Sequence, residues 1–363
     1  MRKSLAVTVG VIRSATGLLI GVGLVSALGV SGGTFDPLAL YTPPGFFSPG
    51  TRARVGAGAA VVDVLPAHGR DLAVFGMARI EADGDRLVAW TRRIEDFQRG
   101  PHMVRALRFS DPPRLEDLDS LVLESGDLDD IRRCRPGDCG LKLGAAEITQ
   151  LRRTISVSGT DWRQAVQRQF RQIMVDRAIA YLANGYAGLP VYNDHATPIA
   201  AGTEFDAVAA RVRDRRLHEA RLMHYLQDYP WNDRADPDIE SFLYWSKESL
   251  GSGKPIVSIT HVAVLRGREP LRPDAIVASK QVFATHYLLA SLSLMAMTHP
   301  TANGDRYLLY TRQSRVDVFE GALAGLRRRL VEKRIRSAAP GVLDAARRRL
   351  ESGEPPPDAV STP

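Results

Sequence analysis

The sequence predicts an α+β fold, a curved antiparallel sheet packed on a long C-terminal helix, with a helical insertion. Three observations predict it. The stretch 254–315 holds three apolar runs rich in β-branched and aromatic residues. Turn-rich breaks at 267–274 and 300–305 divide them, the pattern of an antiparallel meander. A basic segment with helical spacing, 318–350, follows directly. Near the start, strand-like runs at 57–66 and 71–82 give way to three- and four-residue spacing over 83–99, so a hairpin leads into a helix.

In chain order, Arg2 and Lys3 precede an apolar run at 17–30 and the small residues Ser31, Gly32 and Gly33. This reads as a secretory signal over 1–33, removed on export, with an uncleaved anchor as the alternative. The run is shorter than the roughly 20 residues of a membrane span. An exported, periplasmic or envelope-associated protein is therefore expected. Residues 34–54, with Pro and Gly among aromatics, read as an extended linker. A single domain is expected over 55–350, with its insertion at 101–240 and a disordered tail at 351–363.

His68-Gly69-Arg70 breaks the first hairpin. In the helix that follows, Leu87, Trp90, Ile94 and Phe97 share a face, Asp83 or Asp85 caps the start and Gly100 the end. The stretch 105–143 reads as irregular or weakly β, closed by the sequence CRPGDC. Pro136-Gly137 is a turn dipeptide that brings Cys134 and Cys139 together, and export makes a local disulfide the expected state. The C-x4-C spacing is not that of a redox C-x-x-C, and a zinc site would need two further ligands nearby. Helices are expected at 160–184 and 203–228. Trp162, Val166, Phe170, Ile173, Met174 and Tyr181 form the stripe of the first. Thr203-x-x-Asp206 has the form of a capping box for the second.

The run 275–298 contains neither Gly nor Pro. As one straight strand it would span about 80 Å at about 3.3 Å per residue, so it reads as a long bent strand. Its first half would pair back to 256–265 and its second forward to 307–316. The last helix, 318–350, has Leu323, Leu326, Leu330, Ile335 and Leu343 as its apolar stripe, with a break or kink at Pro340-Gly341.

The chain has 363 residues, 44% hydrophobic and 25% charged, with a net charge of +7. That is ordinary globular composition, and the basic balance suits an anionic lipid surface; nucleic acid is not expected. No G-x-S-x-G elbow or H-E-x-x-H helix is present. Gly251-Ser252-Gly253-Lys254 lacks the spacing of a phosphate loop, and Pro255 follows it. The histidines are scattered, so no metal and no cofactor are predicted. His261, Lys280 and His286 are the candidate inward polar groups of the meander, and Tyr244, Trp245, Phe283, Tyr287 and Tyr310 its candidate pocket aromatics. Ordinary core is the plain alternative for each. Along 275–298 one parity carries Val277, Ser279, Gln281, Phe283 and Tyr287, the other Lys280, Val282 and His286; the aromatic set is expected to face the ligand.

The segment 78–97, ARIEADGDRLVAWTRRIEDF, with Val88, Trp90, Ile94, Asp96 and Phe97, resembles the opening of START and Bet v 1-like (SRPBCC) helix-grip domains. The order strand, helix, antiparallel strands, long C-terminal helix agrees. The resemblance covers about 80–98 and 254–350, and the chain departs from it in the insert between. It implies a helix-grip arrangement, a curved sheet gripping the last helix around an apolar cavity for lipids, sterols or polyketides. The expected function is an exported binding protein for a hydrophobic small molecule or lipid, lined by Trp90, Tyr244, Trp245, Lys280, Phe283, Tyr287 and Tyr310. Two rivals stand beside it. One is a hydrolase or cyclase-like enzyme on the same scaffold, with His261 or His286 as general base. The other is an envelope interaction protein that docks its basic C-terminal helix on an anionic membrane.

Overall fold

Eight chain segments with the apolar content of strands pair into one antiparallel sheet. They are β1 (Val61–Leu65), β2 (Asp71–Ile80), β3 (Met103–Arg108), β6 (Ile239–Glu248), β7 (Ile256–Arg266), β8 (Ala275–Ala284), β9 (Leu288–Met297) and β10 (Arg306–Val316). Their order is β1-β2-β10-β9-β8-β7-β6-β3, while β4 (Val191–Tyr192) and β5 (Ile199–Ala200) form a separate pair. The computed structural model describes residues 42–43, 45–46, 48–213, 220–230, 238–249, 253–267, 273–353 and 355. The expected signal, 1–33, lies outside the described residues. Among them no helix is long and apolar enough to cross a membrane.

The helices sort by the face they cover. On one face lie α2 (Gly84–Arg92), α3 (Ile94–Phe97) and the last helix, α9 (Ala324–Glu351). Leu87, Trp90, Ile94, Phe97, Leu343 and Leu350 pack there against Val74, Val262, Val277 and Leu308. Asp83 caps α2 by accepting from the Arg86 N–H at 3.0 Å, as expected. The opposite face carries the insertion, with α4 (Ser125–Arg133), α5 (Ala145–Val157), α6 (Trp162–Asn184), α7 (Ala201–Arg213) and α8 (Ala220–Asp228). Phe170, Ile173 and Tyr181 of α6 meet Trp245, Val257 and Phe283. Phe205 of α7 and Leu222 of α8 meet Phe75, Ala263 and Leu292. A central strand covered on both faces loses alternation, and β7 is buried at every position but the last.

Several expectations change. The run 275–298 is not one bent strand. It folds back on itself, Ala275 pairing with Met297 and Lys280 with Leu292. Its two halves also pair with β7 and β10, as the sequence suggests. The turn is Thr285-His286-Tyr287, with Tyr287 at φ 63°, a region that glycine ordinarily takes. Tertiary bonds hold it there. The Lys142 N–H donates to the Thr285 carbonyl at 2.9 Å, and the Asp317 N–H to that of Tyr287 at 3.0 Å. The Lys254 N–H donates to Tyr287 Oη at 2.9 Å.

β3 falls within the span expected as insertion, yet it is an edge strand paired to β6. The helix expected at 203–228 is described in two pieces, α7 and α8, with 214–219 outside the described residues, and α7 begins at Ala201, ahead of Thr203. The stretch 34–54 contains the start of a helix, α1 (Pro49–Gly56), capped by Ser48. Phe46 before it sets its ring edge-on to Phe75, centroids 4.7 Å apart. α9 runs through Pro340 without a break. Pro340 is half-exposed and Gly341 and Val342 are exposed, so the interruption lies toward solvent, where water can satisfy the released carbonyl. Past α9, Gly353 docks its carbonyl on Trp90 Nε1 at 3.0 Å, and 356–363 lie outside the described residues. Cys134 and Cys139 are bonded to each other.

Gly76 lets α9 approach the sheet. A Cβ there would meet Val62 Cγ2 at 2.9 Å and Leu343 Cδ2 at 3.0 Å. Gly76→Val is expected to cost about 1–3 kcal/mol by overpacking. Urea unfolding measures the cost, and limited proteolysis should show α9 released first. Unchanged stability would mean that α9 rests on the sheet elsewhere.

Candidate functional site

Cross-strand register builds a polar floor on the face shared with α2, α3 and α9. Tyr244 pairs with Thr260, and Thr260 with Gln281. One step along, Ser279 pairs with Ser293, and Ser293 with Arg312. Ser291 and Ser314 pair beside them. Paired residues in antiparallel strands point to the same side, so these groups form a band across β6, β7, β8, β9 and β10. Ser279, Ser293, Met295, Tyr310 and Arg312 keep partial exposure, so solvent reaches the floor.

Arg312 stands at the β10 end of the band. Its Nε donates to Ser291 Oγ at 3.0 Å and to Ser314 Oγ at 3.2 Å. The two hydroxyls lie 2.9 Å from each other. Burial works against the guanidinium charge, and the fields of Tyr310, Glu248 and Tyr244 outweigh it, so its pKa is raised. Among the described residues no carboxylate stands at ion-pair distance from it. Nearby, Ser246 Oγ lies 3.0 Å from Ser258 Oγ and donates to Glu248 Oε1 at 3.3 Å. Burial raises the Tyr244 hydroxyl pKa, keeping it a neutral donor. A planar fork flanked by hydroxyls suits a carboxylate or phosphate oxygen pair. Apolar Phe242, Val262, Val277 and Met295 stand on the same face and suit a ligand's hydrocarbon part.

The expected site residues do not converge. Tyr244 and Tyr310 stand on the polar face, and Trp90 packs in the apolar cluster at its border. Phe283 and Trp245 lie on the opposite face. For Phe283 the cause is local. Thr260 pairs with Gln281 but Ile259 with Phe283, so Val282 is an extra residue in the ladder. One bulged residue reverses the parity of everything beyond it. The expected aromatic wall of Phe283 and Tyr287 therefore does not form: Phe283 is under α6, and Tyr287 is in the turn. Trp245 is buried, its Nε1 donating to the Asp117 carbonyl at 2.8 Å.

Lys280 and His261 also face the insertion. Lys280 Nζ donates to the Leu226 carbonyl at 2.9 Å and lies over the ring of Phe205, 4.2 Å from its centroid. Burial lowers its pKa to about 7, with Asp206 opposing. His261 Nδ1 lies 2.8 Å from Tyr181 Oη, and its ring packs against Tyr229 with centroids 4.6 Å apart. Burial, with the Lys280 charge second, pushes His261 down to about 3. His286, in the turn, is buried with Nε2 3.1 Å from Asp127 Oδ1.

Sequence reading missed Arg312 and its serines. The available signal was polar residues at every second position, Tyr310-x-Arg312-x-Ser314, Ser291-x-Ser293 and Ser279-x-Gln281, in successive strands. It also missed Asp194, His195 and Asp317, whose ligand atoms lie within 4.8 Å of one another. Lys142 already places a cation there, 3.2 Å from Asp194 and bonded to Asp317. The group therefore fits an internal ion cluster better than a metal. A recess of about 450 Å³ over α5 is lined by Ala145, Thr149 and Arg153 among others, and none of the expected site residues lines it. No protein-family model, curated protein or solved structure matches the chain.

Proposed function

We propose that the protein binds an amphipathic small molecule or lipid on the polar face of the sheet, its acidic or oxygen-rich head on Arg312. The observation that carries this reading is a partly exposed guanidinium on β10, third of the eight strands, held by two serine hydroxyls with no carboxylate at ion-pair distance among the described residues. A charge in that place is costly unless something anionic or water compensates it. Phe242, Val262, Val277 and Met295 would take the apolar part, and Tyr244 and Tyr310 would orient it.

The helix-grip reading draws support from connectivity. β2 is followed by two short helices and an edge strand, and returns to pair with the last strand, β10, ahead of the long helix. The polar floor and the added strand β1 are this chain's departures from that pattern. Neither histidine favours the enzyme reading. His261 is a weak base sealed against Tyr181, and His286 is tied to Asp127.

Fluorescence titration with cis-parinaric acid and with the alcohol of the same chain tests the proposal. Arg312→Met is expected to weaken acid binding about tenfold to a hundredfold, the range of a lost charge-assisted contact, and to leave the alcohol nearly unchanged. Equal binding of the acid by both proteins would remove Arg312 from the site.

A further inference from the structure

The apolar stripe read in the last helix divides: Leu343 is buried and Ile335 packs against the same cluster, while its first three leucines face outward. Leu323 is 61% exposed, Leu326 55% and Leu330 53%. Successive helical residues turn by about 100°, so Leu326 and Leu330 lie about 40° apart, and Leu323 is the N-cap residue ahead of them. The helix is anchored elsewhere. Its fully buried residues are Leu343 and Leu350, both in its C-terminal part. Ionic contacts hold the side facing the sheet, with Arg336 on Asp63 at 2.8 Å and Glu332 bridging Arg328 and Arg336. Arg328 also donates to the Gly69 carbonyl at 2.6 Å.

The charges around the leucines are of one sign. Arg329 and Lys333 flank the stripe on one side, and Arg327 and Arg334 on the other. Arg329 and Lys333 are exposed, with no carboxylate partner among the described residues. No acid occurs from Gly321 to Val331. Glu332 points to the opposite side, and Glu320 is held by Arg70. A leucine ridge bordered by long basic side chains is the surface chemistry of a helix lying in a membrane interface. There the leucines enter the acyl boundary, and the cations stay among the headgroups with their stems along the apolar surface.

We propose that the first half of α9, from Leu323 to Lys333, docks on an anionic lipid bilayer. Charge complementarity selects this occupant. An apolar protein groove would suit the leucines, but it would leave Arg329 and Lys333 without anions. Each cation near an anionic bilayer contributes about 1 kcal/mol, and salt weakens the attraction. The inference does not depend on the ligand at Arg312.

Site-specific fluorescence tests it in the full chain. Both native cysteines are consumed in the disulfide, so a single added thiol can be labelled. Leu326→Cys carrying an NBD dye is expected to shift its emission to the blue and brighten severalfold with phosphatidylglycerol vesicles. Phosphatidylcholine vesicles should leave it unchanged. The same dye at Val342→Cys, 53% exposed on another side of the helix, should stay in water throughout. Adding Arg329→Glu and Lys333→Glu to the Leu326→Cys protein should abolish the response. Because the dye reads position 326 alone, attachment through another part of the chain does not mimic the result. No response at 326 to anionic vesicles overturns the proposal. So does an equal response at 342, an equal response to phosphatidylcholine, or a dye already blue-shifted without lipid, which would mean that protein covers the ridge.

Discussion

Lys280→Met is expected to make the protein more stable at pH 6 and less stable at pH 10. Lys280 is buried among the rings of Phe205, Tyr181 and Tyr186, and burial lowers its pKa from 10.5 to about 7. Below pH 7 the amine is charged in both the folded and the unfolded chain, and the fold carries the full cost of burying that charge. Between about 7 and 10.5 the unfolded chain still holds the proton that the folded one has released. The unfolded state then binds more protons, and stability rises with pH. Above 10.5 both states are neutral and the rise ends. At about 1.4 kcal/mol for each pH unit of displacement, the gain is a few kcal/mol. Methionine is of similar length and removes this dependence. It also leaves the Leu226 carbonyl without its donor, which costs about 1–3 kcal/mol at every pH. Urea unfolding of both proteins at pH 6, 8 and 10 checks the prediction. Two stability curves that run parallel would show that Lys280 keeps its ordinary pKa.

Phe283→Ala is expected to cost about 3–5 kcal/mol of stability, the range for a buried Phe truncated in a core. Phe283 is fully buried, and the Arg177 guanidinium lies 4.0 Å from its ring centroid. Arg177 is in turn bonded to Glu147, with Nε 2.7 Å from Oε1, so the cavity would open beneath a fixed ion pair that cannot collapse into it. Affinity for an acidic amphiphile should stay within about twofold of wild type, because Phe283 and Arg312 are on opposite faces. A variant with normal stability and lost binding would contradict the face assignment and return Phe283 to the ligand wall.

The contrast between Phe283 and Arg312 marks the limit of what alternation can reveal. β7, the start of β8, the end of β9 and β10 were legible because their apolar runs meet recognisable breaks at 267–274 and 300–305. Tyr244 and Tyr310 share the face with Arg312, a position that strand alternation alone did not single out from that of Trp245. Parity, however, carries only as far as the ladder is regular. The extra residue Val282 is an unremarked valine among apolar neighbours, and nothing in its type announces a bulge. The hairpin at 285–287 was hidden for a related reason. Its unusual backbone is imposed by Lys142, Lys254 and Asp317, all remote in sequence, and the turn itself contains neither Gly nor Pro. Leu323, Leu326 and Leu330 show the reverse case. Helical spacing identified the stripe, while spacing alone could not say which side of the helix the sheet would take.

Strand order also governs when the sheet can be finished during synthesis. β2 lies between β1 and β10, and nine of its ten residues are buried in the finished fold. As residues 71–80 leave the ribosome, β1 can cover one of their edges. Met77, paired with Val61, takes its other partner from Leu309, most of the chain's length away. The N-terminal hairpin therefore emerges as an apolar ribbon with one open edge and keeps it while the insertion and the meander are made. The insertion helices follow next in the chain and cover the β2 face that carries Phe75 and Met77, although the edge waits for the last strand. A chain that stops before residue 306 would present two unpaired edges at once, β2 and β9, each ready to add a strand from another molecule.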